Sequence, residues 1–125
     1  MTARFRISDP ARADLTTVLA TSRERWGEEG RVRYAALLLA ALRTIARDAE
    51  GPTTRPRPEL LHGMRSIHLR HARRGGDVAA PVHALYYRVT GPVIEIVRVL
   101  HERMEPMRHV AAARSKPRAK APRRK

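Results

Sequence analysis

The chain opens on a short alternation. Residues 3–7 (Ala-Arg-Phe-Arg-Ile) place apolar and arginine positions two apart, the period of a half-buried strand. Ser8-Asp9-Pro10 follows, an acceptor side chain and then a proline, which together start helices well. Leu15, Val18, Leu19 and Trp26 then recur at helical spacing up to a break at Gly27. A second helix is predicted from about Glu28 to Ala49, with Tyr34, Leu38, Ala41, Leu42 and Ile45 on one stripe. Two helices joined so tightly form an antiparallel hairpin, and Trp26 and Leu42 are expected in its core. Residues 51–64 hold three prolines and two glycines and read as a connection. The period then returns to two. Strands are predicted over 65–71, 82–89 and 93–100, the last two joined by the tight turn Thr90-Gly91-Pro92. Residues 72–81, with a Gly-Gly pair, form a further connection.

Val93, Ile94, Ile96, Val97 and Val99 are apolar on both faces, as suits a central strand covered on each side. Glu105-Pro106 opens one or two helical turns ending near Val110, and Met104, Met107 and Val110 form a stripe expected to pack on the sheet. The order predicts an α+β fold: an N-terminal strand, then a two-helix hairpin packed on a small, mainly antiparallel four-stranded sheet. A short C-terminal helical turn closes the folded part. Residues 1–110 form one domain, and 111–125, rich in Ala, Pro, Lys and Arg, form a disordered basic tail.

Composition narrows the function. At 125 residues there is room for one core, and a hydrophobic content of 42% excludes a wholly disordered chain. The absence of cysteine excludes disulfides, thiolate metal sites and a cysteine nucleophile. No stretch resembles a secretory signal, and the longest apolar run, residues 34–42, is far short of the ~20 that span a bilayer. A cytoplasmic protein without a membrane partner is expected. The formal charge is +14, of which residues 111–125 supply seven cations and no acid. Such a chain attracts anionic partners. The tail adds weak, nonspecific attraction for nucleic acid, without an aromatic residue on which a base would stack.

The strands carry Arg65, Arg70, Arg88 and Arg98, with Arg103 and Arg108 just beyond. Guanidinium forks suit carboxylates or phosphates, so these six, with His101 and His109, are the candidate partner- or anion-binding residues. Six histidines (His62, His68, His71, His83, His101 and His109) show no metal-ligand spacing and no His-Glu-x-x-His pattern, so no metal and no cofactor are expected.

Four pieces resemble the ParE/RelE superfamily of bacterial toxins, the ParE branch most closely, over roughly residues 4–110. They are Ile7-Ser8-x-x-Ala11-x-x-Asp14-Leu15, Trp26-Gly27 with Tyr34 and Leu38, Leu61-x-Gly63-x-Arg65, and the ending Arg98-Val-Leu-His-Glu-Arg-Met-Glu-Pro-Met-Arg-His-Val110. The last is the most distinctive. Glu105 stands where the family usually has Asp, the 72–81 connection is longer than usual, and the basic tail is an addition.

The resemblance implies a toxin of a type II toxin–antitoxin pair that traps DNA gyrase on cleaved DNA. It also implies neutralisation by a ParD-like antitoxin with an acidic C-terminal segment. The alternative is a RelE-like, metal-independent messenger RNA endonuclease acting at the ribosome. Arg65, Arg88 and Arg98 would then hold the phosphorane charge, and His101 or His109 would move protons. No acid–base pair stands out at a spacing that demands catalysis, and alternation puts Tyr86 and Tyr87 on opposite faces, so a poison without chemistry of its own is the first expectation.

Overall fold

The structure, a computed structural model, describes residues 4–73 and 78–115. The strand β1 (Arg4–Ile7) leads through Ser8 into the helix α1 (Asp9–Arg47). Ser8 caps that helix: its Oγ accepts the Ala11 amide at 3.0 Å. Gly27, at φ +78° and ψ −176°, interrupts α1 in a conformation open almost only to glycine. The two arms lie side by side. Leu15 of the first and Leu38 and Leu42 of the second line one small cavity, whereas a straight helix would separate Leu15 from Leu38 by about 35 Å. The predicted hairpin is therefore present.

The remaining elements are β2 (Arg55–Pro56), β3 (Met64–His68), a 3-10 turn at Leu69–His71, β4 (His83–Thr90), β5 (Val93–His101) and α2 (Pro106–Ser115). They form one five-stranded sheet in the order β1-β5-β4-β3-β2. β1 runs parallel to β5 and the other pairs are antiparallel.

Three expectations need correction. The sheet has five strands instead of four, because the 51–64 connection folds back on itself. The Gly51 and Thr54 amides close turns on Asp48 and Gly51, and the Arg57 amide reaches the Met64 carbonyl at 2.7 Å. The strand predicted to run to residue 71 ends at His68, whose Nδ1 accepts the Arg70 amide and caps the 3-10 turn. The C-terminal helix continues past Val110 to Ser115. Ala111, Ala112 and Ala113 favour helix, and Ala113 packs against the sheet. Residues 116–125 of the basic tail lie outside the described residues.

The α1 face of the sheet holds the main core, including Ala11, Leu38, Ile45, Leu85, Tyr87, Ile96 and Val99. The opposite face holds a smaller cluster of Met64, Ala84, Tyr86, Val97, Leu100 and Val110, with Leu60, Leu61 and Ala113 against it. Tyr86 and Tyr87 thus sit on opposite faces, as alternation requires. Pairing between β4 and β5 skips Val97, so that Tyr86 meets Arg98 and Tyr87 meets Ile96. This bulge keeps both flanks of β5 apolar while turning Arg98 toward the sheet edge.

Candidate functional site

β1 is shorter than β5, so the edge of β5 beyond Ile96 needs other partners. The start of α1 supplies them. The Ser8 amide donates to the Ile96 carbonyl at 3.0 Å, and the Ser8 hydroxyl donates to the Val97 carbonyl at 2.8 Å. Asp14, six residues further on, accepts the Val99 amide at 2.9 Å. The same carboxylate takes a two-pronged ion pair from Arg98, with Nε and Nη2 each 2.7 Å from an oxygen. Nη1 of Arg98 donates to the His109 carbonyl of α2 at 2.9 Å. Both side chains of the pair are only 14% exposed. Arg98 is therefore the tie between α1, the sheet and α2, and its donors are engaged inside the protein.

The other predicted residues occupy separate places. Arg65 lies opposite Tyr87 on the α1 side, with Nε and Nη2 both donating to Thr54 Oγ1, at 3.3 and 2.8 Å. Arg88 lies opposite Met64 and Glu95 on the other face. Arg70 is exposed on the 3-10 turn, and Arg108 is exposed on α2. His109 is half-buried and contributes its carbonyl. His101 and Arg103 come together. The Arg103 amide donates to His101 Nδ1 at 3.0 Å, and both residues line a large groove.

That groove, about 1030 Å³, runs between the hairpin and the ends of β4 and β5. Val18, Tyr34, Val82, Val99 and Met104 give it an apolar floor and wall, and Trp26 stands at its side. Arg25, Arg33 and Arg103 lie around it, and the one acid among the described residues that line it, Asp14, is already paired with Arg98. Trp26 was expected in the core but is 57% exposed. The reversal at Gly27 swings the ring outward, where the Arg25 guanidinium sits 5.3 Å from its centroid. Gly30 is buried against the Trp26 Cβ, leaving no room for a side chain of its own. Met104 and Met107 also miss their expected packing. They are 45% and 49% exposed, and only Val110 of that stripe reaches the sheet.

At the floor, the Tyr34 hydroxyl accepts the Val82 amide at 3.2 Å and donates to His83 Nδ1 at 2.7 Å. The His83 ring packs edge-on against His101, with centroids 5.4 Å apart. Burial first, and then the nearby His101 and His68 rings, push His83 down to about 4, so it is neutral with its proton on Nε2. Burial likewise raises the Tyr34 phenol. His68 accepts the Arg70 amide on Nδ1 and donates from Nε2 to Glu102 at 2.9 Å, which lowers the Glu102 carboxyl.

Three pieces of this escaped sequence reading: the Asp14–Arg98 pair, the Tyr34–His83 bond and the groove. Asp14 and Arg98 both stood in recognisable segments, but 84 residues separate them and no local pattern pairs them. Among the described residues, no group of three potential ligands could hold a metal ion. None of the described helices is long and apolar enough to cross a membrane.

The comparisons with known proteins agree with one another. Residues 5–106 match the family model described as the ParE toxin of the type II toxin–antitoxin system parDE. The protein named Toxin ParE1 of Caulobacter vibrioides is 35% identical over 107 residues, spanning 85% of this chain and 96% of that protein. Toxin ParE1 of Mycobacterium tuberculosis is 34% identical over 107 residues, spanning 84% and 95%. A solved chain from the chromosomal ParDE toxin–antitoxin system of P. aeruginosa superposes with a TM-score of 0.58 at 18% identity, covering 79% of this chain and 95% of that one, which shows a shared fold. Taken with the strand, hairpin and sheet order described above, these matches establish that the chain belongs to the ParE toxin family of type II toxin–antitoxin systems.

Proposed function

We propose that this toxin acts by binding DNA gyrase and trapping it on cleaved DNA, and that a ParD-like antitoxin neutralises it by laying an acidic, amphipathic segment into the groove beside Trp26. The observation that carries the antitoxin half is the groove itself. An apolar floor takes the apolar side of a helix, and Arg25, Arg33 and Arg103 meet its carboxylates. An exposed tryptophan and an exposed methionine beside arginines have the composition of an interface centre. A segment that folds on docking covers such a surface widely. The isolated toxin accordingly sticks to polyanions in a salt-dependent way, while the assembled pair withstands moderate salt.

The gyrase half rests on family membership, and the site chemistry sits comfortably with it. Arg65, Arg88 and Arg98, the three cations a nuclease would need around one phosphate, occupy the α1 side, the opposite face and an internal ion pair. Tyr87 is fully buried and donates to the Ala49 carbonyl.

The test adds purified toxin to gyrase, ATP and supercoiled plasmid, and in parallel to translating ribosomes with a labelled message. Linear plasmid after protein removal, with intact message, is expected. Cut message with untouched plasmid would move the reading to a ribosome-dependent ribonuclease.

A further inference from the structure

The geometry points to a second binding surface: the part of the sheet left uncovered by α2 is a contact face for the phosphate backbone of double-stranded DNA. Strand register fixes which arginines share it. Arg6 pairs with Glu95, Glu95 with Arg88, and Arg88 with Met64. Directly opposed residues lie on one face, and Met64 belongs to the cluster on the α2 side. Arg4, two residues before Arg6, lies on the same side, as does Arg55, opposite Ser66. Arg57 completes the row, its guanidinium 5.6 Å from the Tyr86 ring centroid.

α2 covers the Val97 and Leu100 end of this face and leaves Arg4, Arg6 and Arg55 exposed and Arg88 half-buried. Among the described residues these four arginines have no ion-pair partner. The acids nearby are Glu95 in the row and Glu59, which Arg57 already holds at 2.8 Å. Neighbouring strands stand ~4.8 Å apart, so the cations spread over a surface about 19 Å wide.

The chemistry of the face selects its partner. Protein partners are anchored by aromatic and aliphatic side chains that become buried on docking. Among the described residues the uncovered part of this face offers only the half-buried Val93 and the Tyr86 ring under Arg57, with Met107 exposed on α2 at its margin. The exposed Phe5 and Val89 both pair with Ile94, a residue of the α1 core, and so belong to the other side. Trp26 and Met104 line the groove. A face on which four of five guanidinium groups lack an ion-pair partner and apolar anchors are few matches the sequence-independent recognition of phosphates. In a toxin whose target is DNA-bound, such a face would hold the DNA beside the enzyme. The inference is nevertheless independent of the gyrase reading, because it is read as DNA affinity with no enzyme present, and either can fail alone.

The experiment uses the full chain and a fluorescent duplex of mixed sequence, followed by anisotropy between about 50 and 200 mM salt. The sheet-face triple variant Arg4→Gln, Arg6→Gln and Arg88→Gln is compared with an α1 triple of equal charge, Arg12→Gln, Arg43→Gln and Arg47→Gln. Circular dichroism verifies that both remain folded. The sheet-face triple is expected to lose about tenfold or more in affinity, with a salt slope shallower by about 2–3, as three lost phosphate contacts require. The α1 triple should stay within about twofold of the parent. Equal losses in the two triples would mean diffuse charge and would overturn the inference. So would unchanged binding in both, which would place the DNA affinity on other cations of the chain. If the sheet-face triple loses affinity for poly-glutamate but keeps it for the duplex, the face takes an acidic protein, and the DNA assignment falls.

Discussion

The two faces of the sheet are built by opposite rules. Among the described residues, fifteen buried ones on the α1 side, from both helix arms, from β3, β4 and β5 and from the turn at residues 69–72, make a continuous core. On the other side five buried strand residues lie under Val110 of a ten-residue helix and one loop. Charge follows the reverse pattern. α1 balances seven arginines with five acids, whereas the five strands carry six arginines and one acid, Glu95. One face therefore supplies most of the burial that stabilises the fold, and the other can present cations that add little to it. Both proposed recognition surfaces sit at the margins of the core, in the groove at its end and on the sheet behind it.

That division is broken most strongly where the two faces are tied together. Asp14→Ala leaves Arg98 without its partner at a largely buried position and removes an acceptor from the Val99 amide. Losing one member of such a pair costs about 3–5 kcal/mol, and thermal melting should show it as the largest single loss outside the apolar core. The hairpin reversal comes next. Gly27→Ala forces a Cβ into a backbone conformation at φ +78° that alanine rarely adopts, with an expected cost of about 1–3 kcal/mol by denaturant unfolding.

The groove floor gives a smaller, pH-dependent effect. His83 holds its proton only below about 4 in the folded chain, against an ordinary 6.5. The unfolded chain therefore binds the extra proton first as the medium acidifies. Its contribution is complete above pH 6.5 and is lost as pH falls from 6.5 toward 4, by no more than one proton's worth of slope. Melting curves across that window should show the decline, and His83→Gln should flatten it. Trp26→Ala should have the least effect on stability, under about 0.5 kcal/mol for an exposed side chain. In contrast, its loss should weaken the antitoxin complex by about 2 kcal/mol or more, as for an aromatic at an interface centre. Calorimetric titration of parent and variant with the antitoxin measures it.

Much of this architecture was legible in sequence because local physics dictates it. Ser8 and Pro10 marked the helix start, Gly27 the reversal, and Gly91-Pro92 the hairpin between β4 and β5. The apolar residues on both faces of 93–99 announced a strand covered on both sides. What escaped was set by tertiary geometry. The two-residue strand β2 exists because a proline-rich loop doubles back. Trp26 continued an apolar helical stripe, yet the very glycine that ends the stripe turns the ring into solvent. The six arginines looked like one anion-binding group, but a parity difference between Arg65 and Arg88 and a bulge at Val97 send them to different places. Spacing along the chain does not reveal which face a strand residue takes once a bulge intervenes.

The chain contains a single tryptophan, and it stands beside the groove assigned to the antitoxin. Its fluorescence is thus a direct report on the division of labour between the two faces. The toxin should be titrated with a ParD-like antitoxin while the emission maximum and quenching by acrylamide are followed. A blue shift and protection from the quencher, with Arg33→Glu weakening both, is the result expected. Tight binding with the emission and the quenching of Trp26 unchanged would place the antitoxin elsewhere and contradict the account.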